Sequence, residues 1–156
     1  MSRRDRTRRS VRIQRLVDMA AAEESRLAQA FGKLNAELES RRSQLGELNA
    51  FRQTYSSASA RQSGANSAHW KDYQNFRSRL DQAVSAQQQF VRDSEQGVDA
   101  ARERWLHQRQ RLESLRKVLD RYRGEEQLRQ MRSEQKQQDD LGQGNAAFGA
   151  EYEKPK

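Results

Sequence analysis

The chain has 156 residues, 33% of them apolar and 33% charged, with a net charge of +8 and no cysteine. Leu, Ile, Val and Phe together number 25, and the apolar fraction lies well below the roughly 45–50% of ordinary globular domains. These values exclude disulfides, thiolate metal sites and Cys nucleophiles, and they leave no material for a broad core unless the apolar residues are concentrated on a narrow seam. No run of 18 apolar residues occurs, and the Arg-rich start is not followed by an apolar region. The expectation is a soluble chain without a secretory signal, and the absence of cysteine allows a reducing cytoplasm without requiring it.

Residues 1–10, MSRRDRTRRS, hold five Arg and one Asp. So dense a block of like charge reads as a flexible basic arm, with Ser10 placed to cap the helix that follows. From there Ile13, Ala20, Leu27, Leu34, Arg41, Leu48 and Tyr55 stand seven apart, with Val17, Phe31, Leu38 and Leu45 as a companion row. Both rows fall on one face of one helix, expected over 11–55. Gly32 and Gly46 each cost about 1 kcal/mol inside a helix, so packing must supply its stability.

Residues 56–69, SSASARQSGANSAH, are small and polar, without a large apolar side chain, and read as the turn of a hairpin folded at Gly64. A second helix is expected over 70–136. It opens with Trp70, Tyr73, Phe76 and Leu80, and continues with Val84, Val91, Val98, Trp105, Leu112 and Leu119 at strict sevens. Its companion row, Leu80, Gln87, Ser94, Ala101, Gln108, Leu115 and Tyr122, is polar in the middle. The fold class is therefore all-α, two long helices forming an antiparallel coiled-coil hairpin with disordered termini, its domain spanning 11–136. Registered by hand, Leu48 meets Leu80, Phe51 meets Phe76, Leu45 meets Val84, Leu27 meets Ala101 and Ile13 meets Leu115. The second helix outruns the first, and the Gly-rich polar segment 137–156 reads as a disordered tail.

No chemistry-bearing constellation emerges. His69 and His107 are 38 residues apart, and the carboxylate pairs Glu23–Glu24, Glu125–Glu126 and Asp139–Asp140 are sequence neighbours that point about 100° apart on a helix. A two-helix hairpin is expected to offer no water-excluding pocket, so neither catalysis, nor a metal, nor a cofactor is expected. Two features exceed what a plain hairpin needs. Phe51, Tyr55, Trp70, Tyr73 and Phe76 place five rings beside a seam one stripe wide, which leaves ring surface either packed at the hairpin end or open to a protein partner. Residues 101–136 carry eleven Arg or Lys against six Asp or Glu, and the N-terminal arm adds to the same open end. That charge serves either as a solvated face or as a cationic stem for an acidic protein channel or nucleic acid.

The segment QLGELNAFRQTY, the turn, and HWKDYQNFRSRLDQAVSAQ, together residues 44–87, resemble the middle of the flagellar export protein family FliJ. The likeness extends more loosely over about 11–136, through an acid-rich first helix and the later run with Trp105, Arg109, Arg111 and Leu112. The resemblance implies a non-enzymatic coiled-coil stalk of the flagellar type III export apparatus. Such a stalk would couple the ring of the export ATPase FliI to the membrane export gate FlhA and assist export chaperones and substrates, peripherally at the cytoplasmic face of the inner membrane. The family's gate-binding positions fall on Gln44, Leu48, Phe51, Tyr55, Phe76, Leu80, Ala83 and Gln87. Phe51 replaces a Tyr of the family pattern and Gln87 a His, which removes polar parts of the contact and keeps the apolar part. The open end would enter the ATPase ring, with Arg3, Arg4, Arg6, Arg8, Arg9, Arg121, Arg123, Arg129 and Arg132 as contacts.

Two alternatives stand beside this reading. A pI near 10.3 and Arg-rich helices are the footprint of a nucleic-acid-binding hairpin, although acidic residues are interleaved along both helices and no base-reading motif occurs. Nucleic-acid binding would fall steeply with salt, whereas docking through an apolar tip is expected to respond little. The other alternative is a generic coiled-coil scaffold in which heptads pair between chains. A hairpin predicts a monomer of 18.2 kDa instead.

Overall fold

The computed structural model describes residues 3–61 and 67–150, with side chains over 9–61 and 67–149. Every described residue is helical: α1 runs Arg3–Arg61 and α2 runs Ser67–Ala150. The two long helices pack against each other as the expected antiparallel hairpin, in two units, one of residues 23–109 and the other of residues 1–22 with 110–156.

The unit of residues 23–109 pairs the second half of α1 with the first half of α2. Its core is Leu38, Val91 and Val98, flanked by Phe31 and Leu45, with Leu80, Val84 and Ala101 also buried. Fully burying a side chain of this size is worth about 1.5–3 kcal/mol, enough to offset the interior glycines. Charge pairs tie the flanks: Arg42 reaches Glu39 at 2.9 Å and Glu95 across the seam at 3.1 Å. The Glu95 hydrogen bond, then that of Glu39, holds the Arg42 guanidinium above its ordinary range. Trp105 donates its indole N–H to Glu24 Oε1 at 2.8 Å and lies parallel to Phe31 at 5.7 Å between centroids.

The unit of residues 1–22 with 110–156 has a core of Val17, Ala20, Leu112 and Leu119, with Ile13, Ala21 and Leu115 against it. Arg123 donates to Gln14 Oε1 at 2.6 Å. From Gln127 to Gly149 every residue of α2 is exposed, Leu128, Met131, Leu141 and Phe148 included.

Several boundaries differ from those expected. The arm placed at 1–10 is helical from Arg3, so Ser10 lies inside α1, buried, and is not its cap. The turn placed at 56–69 is helical over 56–61 and 67–69; residues 62–66, with the fold point at Gly64, lie outside the described residues. The tail placed at 137–156 is helical as far as Ala150, and residues 151–156 lie outside the described ones. The physical reason is shared: nucleation is the costly step, and once α1 and α2 are held by their seams, Arg-, Gln- and Ala-rich segments extend them at little cost. Leu34, on the expected seam row, is 36% exposed. At that level the companion-row residue Leu38 takes the core place instead, while the later members Leu48 and Tyr55 are again half-buried.

Candidate protein-docking site at the helix tip

On α1 the residues 44, 48, 51 and 55 recur at i, i+4, i+7 and i+11, and on α2 the residues 76, 80, 83 and 87 repeat the same spacing. Each set therefore lies along one helix face, and antiparallel pairing sets the two faces side by side. Phe51 meets Phe76 edge to face at 6.3 Å, as the register anticipated. Tyr55 lies 4.5 Å from Phe76 and stacks on Tyr73 at 5.5 Å and on Phe51 at 6.3 Å. Trp70 extends the cluster, 5.7 Å from Tyr73. Such offset and edge contacts each add about 0.5–1.5 kcal/mol beyond area burial.

The eight positions do not share one environment. Leu80 is 7% exposed and belongs to the seam, with Leu48 and Tyr55 half-buried beside it. Gln87 is half-buried as well: its Nε2 donates to the Arg41 carbonyl at 3.1 Å and to Gln44 Oε1 at 3.2 Å, a polar bridge across the seam. Open to solvent are Gln44 and Ala83, together with Phe51 at 51% and Phe76 at 39%. Trp70, absent from those positions, is more exposed than either ring, at 62%. Its place in the aromatic cluster was the signal for it. Arg41, nominally a seam residue, turns its guanidinium over the Phe90 ring at 5.4 Å, an interaction that heptad spacing does not disclose.

The expectation for a hairpin is that no pocket excludes water, and the concavity present here is an open one. An open hollow sits beside the tip, lined from both helices by Tyr55, Trp70, Tyr73, Phe76, Arg77 and Arg79 among others. It is open to solvent rather than enclosed, so it suits a docked side chain.

Of the basic positions, Arg9, Arg121, Arg123, Arg129 and Arg132 are exposed, with Arg129 3.7 Å from Glu125. The side chains of Arg3, Arg4, Arg6 and Arg8 lie outside the described residues. His69 and His107 are exposed. Glu23, hydrogen-bonded by Arg26 at 2.6 Å, has its carboxyl held below the ordinary range by that bond. Its small contribution is present above the unfolded pKa and is lost as pH falls through the folded one.

Against known proteins, the family model described as flagellar FliJ protein matches residues 9–147. The chain belongs to the FliJ family. It is thereby a component of the flagellar export apparatus. No curated protein and no solved structure matches it. The FliJ match covers the whole of residues 23–109, tip cluster included, and residues 9–22 and 110–147 of the other unit. No described helix is long and apolar enough to cross a membrane, and no cluster of metal-ligating side chains occurs among the described residues.

Proposed function

We propose that this FliJ-family chain is a non-enzymatic coupler of flagellar export, docking the gate protein FlhA through its tip and the ATPase FliI through its basic end. The observation that carries the tip assignment is the convergence of half-exposed Phe51 and Phe76 with Trp70 on one open aromatic surface. Exposed clusters of large rings are where interface energy concentrates. For the basic end the support is charge: exposed Arg9, Arg121, Arg129 and Arg132 suit an acidic channel. The chain acts as a monomer, peripherally at the cytoplasmic face of the membrane, and assists export chaperones.

The test is a pull-down of the purified chain with the cytoplasmic domain of the gate and with the export ATPase, nucleic acid serving as control. Both export proteins are expected to be retained. Replacing Phe51, Tyr55 and Phe76 together by Ala should weaken gate binding by at least about 2 kcal/mol while the helical content persists. Undiminished gate binding by that folded variant sinks the site, and retention of nucleic acid alone sinks the function.

A further inference from the structure

The tip is not only aromatic. Between Asn49 and Leu80 the sequence has one acidic residue, Asp72, against Arg52, Arg61, Lys71, Arg77 and Arg79. Arg52 is engaged by Asp81 at 3.5 Å. Arg77 and Arg79 line the hollow, exposed, and neither has an ion-pair partner among the described residues. Two unpaired guanidinium groups therefore stand at a concavity that they line from α2 together with Trp70 and Phe76, with Tyr55 facing them from α1. Asp72, also at the hollow, leaves the balance positive.

We propose that this hollow receives an acidic segment of a partner protein bearing an apolar or aromatic side chain, which packs on Trp70 and Phe76 while its carboxylates pair with Arg77 and Arg79. Arg presents a planar fork that binds carboxylate in two-point fashion, so two exposed guanidinium groups beside ring surface suit an acidic segment, with a salt dependence expected of exposed charges. Single-stranded nucleic acid also seeks basic and aromatic surfaces, but it needs free ring faces on which bases stack. Here Tyr55 stacks on both Tyr73 and Phe51 and lies against Phe76, so the exposed area of Phe51 and Phe76 belongs to rings already in mutual contact, and Trp70 is the most open one. A peptide side chain inserted among ring edges fits that arrangement better. The inference rests on the tip being the gate-docking site and names the chemistry of the segment docked there. It also revises the expectation that tip docking is indifferent to salt: charge pairing at the rim makes association faster at low ionic strength and weaker at high.

The test uses two fluorescein-labelled 14-residue peptides, one of Asp, Glu, Leu and Phe, the other with Asn and Gln in place of the acids, together with the gate's cytoplasmic domain. The acidic peptide is expected to bind the full chain at least about tenfold more tightly than its neutral counterpart. The Arg77→Gln/Arg79→Gln double variant, altered only at exposed positions, should lose that difference, weaken the gate domain by a similar factor and flatten its salt dependence. Equal binding of the two peptides overturns the inference, as does tighter binding of a single-stranded oligonucleotide at Trp70. Gate binding that depends on Phe51, Tyr55 and Phe76 but ignores the Arg substitutions overturns the inference and leaves the docking site standing. Arg-dependent binding of the acidic peptide without any gate binding overturns the docking reading and leaves the chemistry of the hollow standing.

Discussion

Two stretches of the same helix pair, both within residues 23–109, treat their apolar side chains in opposite ways. Around Leu38, Val91 and Val98 the side chains are aliphatic, slim and covered, and only one stripe of each helix is used. Around Phe51 and Phe76 the side chains are large rings, linked to one another yet half open to solvent. A two-helix seam has room for aliphatic knobs and lacks width for five rings. Where the sequence nevertheless supplies rings, the excess surface is not explained by holding the hairpin together. Burial marks what the fold needs, and uncovered ring area marks what is left for a partner.

That contrast can be broken by substitution. Leu38→Ala removes a side chain with almost no exposure and should cost about 2–5 kcal/mol in denaturant unfolding, with cavity formation adding to lost transfer energy. The same truncation at exposed Phe51 should cost far less stability and should register mainly in gate binding. Equal losses at the two positions would mean that the tip is core. Trp105→Phe keeps the stack on Phe31 but leaves Glu24 without its indole donor. About 1 kcal/mol should be lost in denaturant unfolding, the ordinary net worth of one hydrogen bond, since Glu24 is half-buried and water can take the place of the indole. Smallest and opposite in sign, Gly32→Ala and Gly97→Ala should each raise stability by about 0.5–1 kcal/mol, since a Cβ at either position meets nothing within 4 Å. Thermal melts of the single variants check this.

The aliphatic seam was legible because its signal is long and periodic. Val84, Val91, Val98, Leu112 and Leu119 keep a spacing of seven that only a coiled helix rewards, and all five are buried. The Phe51–Phe76 contact followed from that register once the fold point was placed. Helix ends were less legible. Residues 3–10 and 137–150 have charge or glycine contents that argue against structure locally, whereas their helicity follows from attachment to nucleated helices. The division of the tip positions into seam and surface was not legible either. Leu80 and Phe76 are four residues apart, and a rotation of a few tens of degrees decides which of them faces the partner helix. Cross-seam polar contacts such as Gln87 to the Arg41 carbonyl depend on side-chain reach, which spacing does not encode.

The exposed stretch of α2 from Gln127 to Gly149 has a thermal consequence. A helix with no covered face is held by its own backbone hydrogen bonds and by side-chain neighbours such as Gln130 to Glu134, so its order declines gradually with temperature and without a sharp midpoint. The circular-dichroism signal at 222 nm should therefore fall in two stages, a sloping loss from this stretch well before the cooperative step of the seams. Amide hydrogens of residues 127–149 should exchange with solvent orders of magnitude faster than those around Leu38 or Leu112, and cutting the chain after Glu126 should remove the slope while leaving the step where it was.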